Sequence, residues 1–364
     1  MNCDYFGLCG SCKIYEGGYE GQLQKKLAGV KEGFDAPYEV FTSPDSHYRA
    51  RAEFKIYKDD NDISYAMHKE GGGFVQIEQC PIVLKPVYSL MPKLLEQIKR
   101  SPMLKKRLFR VDFLSGLWGE VLVSLIYHKK IDEKWQKEAQ RLAEDMGINI
   151  VGRSRGVKIV VGRDFIYERL PVFDKEYTYI HKEGSFTQPN PYVNIKMIEW
   201  AKQNSKGFGG DLLELYCGAG NFTLPLAQNF DRVLATEISK SSIKAAKEAQ
   251  NINGIENIDF VRISSEEFSQ ALNKERSFNR LKDLELEDYH FKTLFVDPPR
   301  CGLDGATLNL AKRFENIIYI SCNPDTLKRD LEVLKESFDI KKLAFFDQFP
   351  YTPHLECGVI LIRR

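Results

Sequence analysis

"DLLELYCGAGNFTLPLAQNF", residues 211–230, starts as an apolar run around Glu214, turns on Gly218 and Gly220, and continues into a second apolar segment. A strand, a tight turn and a helix in that order form the repeating unit of a parallel α/β sheet, whose ligands sit beyond the carboxyl ends of its strands. The two glycines allow a tight turn and close backbone approach. A lone Gly-x-Gly is equally compatible with an ordinary strand-to-helix turn, so the flanking sequence has to decide.

Outward from this unit the same rhythm continues. "MIEWAKQ" (197–203) is expected to be helix, "RVLATEIS" (232–239) strand, "SSIKAAKEAQNING" (241–254) helix, and "IDFVRI" (258–263), "FKTLFVDPP" (291–299) and "NIIYISCNP" (316–324) strands. "TLKRDLEVLKES" (326–337) is expected to be helix and "IKKLAFFDQFP" (340–350) strand, with "HLECGVILI" (354–362) a closing antiparallel edge strand. This alternation implies a doubly wound, mostly parallel, Rossmann-like sheet over residues 176–364. Residues 41–175 read differently. "RARAEFKIYKD", "ISYAMHKEGGGFVQI", "FRVDFLSGL", "EVLVSLIYH" and "INIVGRSRGVKIVVGRDFIYERL" carry strand-like alternation, interrupted by the amphipathic "DEKWQKEAQRLAEDMG" with Gly147 as its C-cap. A mostly antiparallel α+β domain is expected there, and residues 1–40 form a separate N-terminal segment.

The chain has 364 residues, 43% hydrophobic and 28% charged, enough for two cores. With 52 basic and 51 acidic side chains no bulk field favours nucleic acid or membrane, so any such partner must meet a local patch. "MNCDYFGLCGS" lacks the basic start and apolar core of a signal peptide, and no apolar run approaches the roughly 18 residues of a spanning helix. A cytoplasmic protein with no membrane association and no obligate protein partner is expected. Its eight cysteines are then ligands, a nucleophile or core fillers rather than disulfides.

Residues that follow the strands define the chemistry. Glu237 ends the second strand 19 residues past Gly218, where an acid can accept from both ribose hydroxyls. The third glycine of a dinucleotide fingerprint is missing, and Glu214 adds a second carboxylate. Such an acidic pocket suits a cationic nucleoside, of which S-adenosylmethionine is an example. Asp297-Pro298-Pro299-Arg300 stiffens the exit of the fourth strand. Amino-methyltransferases place an aromatic residue where Arg300 stands. Cys322 follows the next strand, and Glu356 lies between His354 and Cys357 at the entry of the last one. A thiolate, a carboxylate and a sulfonium methyl together fit one reaction well. C5 of uracil is a poor nucleophile until a thiolate adds to C6; C5 then takes the methyl, and a base must remove the C5 proton before the thiol can leave. Arg300 or Gln188 near O4 would stabilise the enolate.

"SFTQPN" (185–190), "LLELYCGAGNFTLPLA", "RVLATEIS", "FVDPPRCGLD" (295–304), "YISCNPDTL" (319–327) and "DQFPYTPHLECGVIL" (347–361) resemble the RNA uracil-5-methyltransferases. The likeness covers nearly the whole chain and is greatest to the bacterial tRNA members, through "SPDSHYRARAEFKIY", "IYHKK" and the insertion "FNRLKDLELEDY". It implies Cys322 as nucleophile and Glu356 as base, with Gln188, Tyr216, Asn221, Glu237 and Asp297 contacting S-adenosylmethionine. It also implies a T-arm uridine of tRNA as substrate, giving ribothymidine, and the tRNA-like part of tmRNA as a further one.

The N-terminus departs from the tRNA members. Cys3, Cys9 and Cys12, with Cys80, resemble the set that 23S ribosomal RNA members use for a [4Fe-4S] cluster; four thiolates also suit zinc, and a set holding no metal is the third alternative. A 23S rRNA uracil-5-methyltransferase is therefore the rival reading. Ribosomal members usually carry an additional N-terminal β-barrel, for which this chain starts too close to its cysteines. A folate-and-flavin route is disfavoured by the glycine loop, and an RNA chaperone is the alternative from another class. For RNA contacts, Arg153, Arg155, Lys158 and Arg163, "LKKRLFR" (104–110), "YHKK" (127–130), and Tyr48, Arg49, Arg51 and Phe54 are the candidates.

Overall fold

The computed structural model describes residues 1–34, 36–59 and 62–364. Helix α1 (Gly18–Val30) and strand β1 (Tyr38–Phe41) come first. Strands β2 (Arg51–Asp59), β3 (Asp62–His68), β4 (Phe74–Ile77), β5 (Leu108–Ser115), β6 (Val121–Tyr127), β7 (Asn149–Ser154) and β8 (Val157–Val161) follow, with helices α2 (Lys85–Arg100), α3 (Pro102–Lys105) and α4 (Glu133–Met146) among them. A hairpin, β9 (Phe165–Val172) and β10 (Lys175–Lys182), leads to α5 (Pro191–Asn204). The remainder alternates: β11 (Asp211–Leu215), α6 (Thr223–Leu226), β12 (Val233–Thr236), α7 (Lys240–Ile252), β13 (Ile258–Val261), α8 (Ser265–Leu272), β14 (Phe291–Val296), α9 (Gly305–Ala311), β15 (Asn316–Ser321), α10 (Pro324–Leu334), β16 (Phe338–Phe346) and β17 (Glu356–Arg363).

Eight strands form the larger sheet in the order β1-β16-β17-β15-β14-β11-β12-β13. All run parallel except β17, which pairs antiparallel with both β15 and β16. The expected edge position of β17 is thus corrected. Its residues Glu356–Leu361 are all buried, so the strand belongs in the middle, where both faces are covered. The edges are β1 and β13. Helices cover both faces, giving two apolar layers, one with Leu213, Leu294, Ile317 and Leu361, the other with Leu212, Phe295, Ile318 and Ile360.

The smaller sheet has seven strands in the order β4-β3-β2-β5-β6-β7-β8. It is antiparallel apart from the β6–β7 pair, which runs parallel because α4 crosses over between them. Asp132 Oδ1 accepts from Trp135 N at 3.0 Å, and Gly147 ends the helix in the left-handed region (φ 63°). Helix α2 was not expected. It buries Val87, Leu90, Met91, Leu94, Leu95 and Ile98, a helical stripe, although Pro92 lies inside it.

Domain edges differ from 40 and 175. Strand β1 pairs with β16, and Leu23 and Leu27 of α1 lie in the larger sheet's core, while Cys12 and Phe6 pack on the smaller sheet's core. The hairpin β9–β10 contributes Leu170, Val172, Tyr177 and Tyr179 to the larger sheet's core. The strand-rich body is therefore inserted between β1 and β9. No helix among the described residues is long and apolar enough to cross a membrane.

Candidate active site

The glycine loop leaves β11 through Tyr216, itself left-handed at φ 63°, then Gly218 (φ 56°) and Gly220 (φ 83°). A Cβ on Gly220 would lie 3.3 Å from the Phe260 ring, so the turn needs glycine for space as well as for conformation. Glu237, past the end of β12, accepts from Gly218 N at 3.2 Å and Ser239 N at 2.7 Å, which clamps the loop to the neighbouring strand. Its oxygens keep lone pairs for further donors. Ile238 beside it is 65% exposed, an apolar face next to that carboxylate.

The other expected cofactor contacts are fixed by partners. Asn221 exchanges two hydrogen bonds with Asn194 of α5, at 2.8 and 2.9 Å. Tyr216 donates its hydroxyl to Ser265 Oγ at 2.8 Å. Gln188 Oε1 accepts from Gln348 Nε2 at 2.9 Å, which leaves the Gln188 amide group to act as a donor. Beneath the loop, burial pushes Glu214 up to about 8, with the Thr223 hydroxyl opposing and Asp297 adding to the rise. The glycine turn and the buried acids fit a cationic nucleoside such as S-adenosylmethionine. Asn194, Ser265, Ile238 and Gln348 escaped the reading of the sequence. Asn194 alone had a signal, standing one helical turn after Asn190.

The pairing of β15 with β17 brings the candidate nucleophile and base near one another. The ladder ends with Ser321 opposite Cys357, Cys322 and Glu356 are the residues next to that last pair, and the Glu356 charge acts on the Cys322 thiol. Pairing of Phe346 with Glu356 holds the acid from its other side. Asn323 and Pro324 explain why the thiol is locked at this point. Asn323 caps α10 by accepting from Asp325 N at 3.2 Å and donates to Arg300 O at 3.0 Å, and Pro324 starts the helix. The Asp297–Arg300 loop is thereby tied to the turn that carries Cys322. Arg300 in turn reaches His354 Nδ1 at 3.3 Å.

Burial first, then Glu356 and Asp297, push the Cys322 thiol up to about 11, with Arg300 opposing. Burial also raises Asp297 to about 7 and, with Asp297, holds Glu356 well above the usual carboxylate range. A cation bound here relieves all three groups at once, since each loses a proton more readily beside positive charge.

The basic candidates divide in space. Arg153 is bound by Glu183 at 2.6 Å, Lys158 by Asp164 at 2.8 Å, and Arg163 by Glu120, so three of the four basic candidates of this stretch are paired with acids outside it. Tyr48 and Phe54 are buried in the core and offer no stacking surface, a second correction. On the smaller sheet, however, a cavity of ≈ 400 Å³ is lined by Lys55, Lys58, Arg107, Phe74, Phe109 and His128, with no acid among the described lining residues. Lys55 Nζ sits 4.9 Å from the Phe74 ring centroid and 5.7 Å from that of Phe109. Cations interleaved with partly exposed rings suit unstacked bases and their phosphates.

Cys3, Cys9, Cys12 and Cys80 line one cavity. Burial, reinforced by the neighbouring thiols, pushes Cys12 and Cys80 up to about 12. Their chemistry suits a soft metal, while among the described residues no three His, Cys, Asp or Glu side chains are placed to hold a metal ion.

The doubly wound sheet with an inserted antiparallel β17 and a glycine loop facing buried acids defines an S-adenosylmethionine-dependent methyltransferase. The family model described as tRNA (Uracil-5-)-methyltransferase matches residues 18–364, and the chain belongs to that family. It is 58% identical over 364 residues to a tRNA/tmRNA (uracil-C(5))-methyltransferase of Nitratiruptor sp., covering 100% of both chains. To the protein of the same name from Sulfurimonas denitrificans it is 50% identical, again over 100% of both. The crystal structure of Pyrococcus abyssi tRNA (uracil-54, C5)-methyltransferase in complex with S-adenosyl-L-homocysteine has the same fold, with a TM-score of 0.74 at 23% identity over 98% of this chain and 86% of that one.

Because alkylation follows the thiolate, iodoacetamide labelling of Cys322, read by peptide mass mapping, should rise about tenfold per pH unit from pH 7 to 9.5. A plateau by pH 9 would mark an ordinary thiol.

Proposed function

We propose that this chain transfers a methyl group from S-adenosylmethionine to C5 of a uridine in the T arm of tRNA, and of the tRNA-like part of tmRNA. The observation that supports this reading is the nearness of Cys322 to Glu356 and Asp297, whose charges act on its thiol just beyond the β15–β17 ladder that ends with Ser321 opposite Cys357. The names of the relatives support the RNA class. In the cell interior, where such RNAs reside, the cysteines would stay reduced.

S-adenosylmethionine supplies the electrophilic methyl. Cys322, deprotonated when positive charge enters the pocket, adds to C6 of the extruded uracil and makes C5 nucleophilic. Arg300 and the Gln188 amide are the donors available to the O4 enolate. After C5 is alkylated, Glu356 removes the C5 proton, the C5–H electrons form the C5=C6 bond, and the C6–S bond breaks to return the thiolate. Burial keeps Glu356 basic enough for that step. The target must leave its stack to reach the thiol, and the Lys55–Phe109 cavity is the docking site for neighbouring nucleotides.

A T-arm hairpin carrying 5-fluorouridine has no C5 proton to give up, so wild-type protein with S-adenosylmethionine should form a denaturation-resistant adduct at Cys322 that Cys322→Ala does not form. Absence of any adduct would sink the mechanism, and methylation of 23S rRNA fragments in place of the hairpin would sink the substrate.

Lys55→Ala and Phe109→Ala should each raise KM for the hairpin about tenfold, a lost stacking or phosphate contact, with cofactor affinity unchanged. Equal KM values in steady-state assays would remove the cavity from the RNA path.

The four N-terminal cysteines are proposed to hold a [4Fe-4S] cluster, a reading supported by their shared cavity and their soft donor chemistry. Protein purified without oxygen should contain about four iron and four acid-labile sulfide per chain. Finding neither would refute it.

A further inference from the structure

We infer that Lys26 and Gln22 of α1 are positioning residues for the base Glu356, making the N-terminal helix part of the frame of the active site. This rests on the reading of Glu356 given above. The loop Asp347–Leu355 joins β16 to β17 and delivers the chain into Glu356. Six hydrogen bonds reach it from the N-terminal segment, beside others from Phe41 O, Tyr48, Arg300 and Gln188. Lys26 Nζ, with no exposed surface, donates to Asp347 Oδ1 at 2.6 Å and to Phe349 O at 2.7 Å. Gln22 Nε2 donates to Asp347 Oδ2 at 2.7 Å, while its Oε1 accepts from Tyr351 N at 3.0 Å. Tyr351 O accepts from Lys13 N and Ile14 N at 2.8 and 3.0 Å.

Tyr351 shows what these bonds do. Its φ of 63° is costly for a bulky residue and persists only where the surroundings enforce it. A buried ammonium–carboxylate pair is also a poor source of stability compared with apolar groups of the same volume, whereas its directional bonds do fix geometry. Gln348, between the clamped Asp347 and Phe349, bonds Gln188, so the same loop also orients a residue on the cofactor side. No hydrogen bond or ion pair of Lys26 or Gln22 reaches Cys322 or the glycine loop.

A loosened loop therefore bears hardest on the step assigned to Glu356. Sulfur addition to C6 and methylation of C5 proceed, the sulfonium leaving as a neutral thioether, but removal of the C5 proton slows and the C6–S bond stays intact. Lys26→Met, given ordinary uridine hairpin and S-adenosylmethionine, should accumulate a C5-methylated, SDS-stable protein–RNA adduct. Its kcat should fall about tenfold or more, with KM for S-adenosylmethionine within about threefold of wild type. The double variant Lys26→Met/Asp347→Leu, which buries no unpaired charge, should show the same adduct. Recovery of wild-type turnover in the double variant, or loss of adduct and turnover together in both variants, would overturn the inference. Wild-type protein in the same gel separates the two readings, since its failure to methylate the hairpin would refute the proposed function instead.

Discussion

The antiparallel run of β17 between β15 and β16 is the constraint on which the active site depends. Parallel neighbours would bring the carboxyl end of one strand beside the carboxyl end of the next, and an acid at the amino end of the last strand would lie at the far side of the sheet. Reversal of this strand carries Glu356 to the rim where the glycine loop, Asp297 and Cys322 already converge. The sequence separation of nucleophile and base is large, but strand pairing fixes their approach as firmly as a helix turn fixes adjacent residues. Both neighbours of β17 cover its backbone, so the acid sits on a strand that cannot fray without breaking two ladders.

This placement carries an electrostatic cost. Glu214, Asp297 and Glu356 are all held above the normal carboxylate range by burial, and Cys322 shares their environment. In the free protein such groups favour their neutral forms, and a neutral thiol is unreactive. Positive charge reverses the balance for all of them. Positive charge beside these groups would favour the thiolate of Cys322.

Much of this was legible in the chain itself. The strand and helix alternation from residue 190 onward, Gly218 and Gly220 with Glu237, and the residues that end their strands, Cys322 and Asp297, follow from period and position. Other features depend on pairings that sequence distance hides. Arg153 looks unopposed in its own segment because Glu183 is 30 residues away. Tyr48 and Phe54 alternate with charged residues as a solvated face would, yet their side of the sheet is covered by α2, whose helical stripe was obscured by Pro92. The central position of β17 was obscured because a buried strand and an edge strand with an apolar run look alike until the order of pairing is known. Lys26 and Gln22 have no local signature, for a lysine in an amphipathic segment ordinarily points to solvent.

Insertion of the seven-stranded body between β1 and β9 has a mechanical consequence. Because the chain enters that body from β1 of the larger sheet and leaves it into the β9–β10 hairpin packed in the larger sheet's core, two covalent tethers join the halves, and Ala50 N bonded to Pro189 O and Arg51 to Ser185 O stitch them again at the seam. A single linker permits swivelling; a doubly tethered, stitched joint resists torsion. The span from the Lys55–Phe109 cavity to the Cys322 sulfur is then held at a set opening.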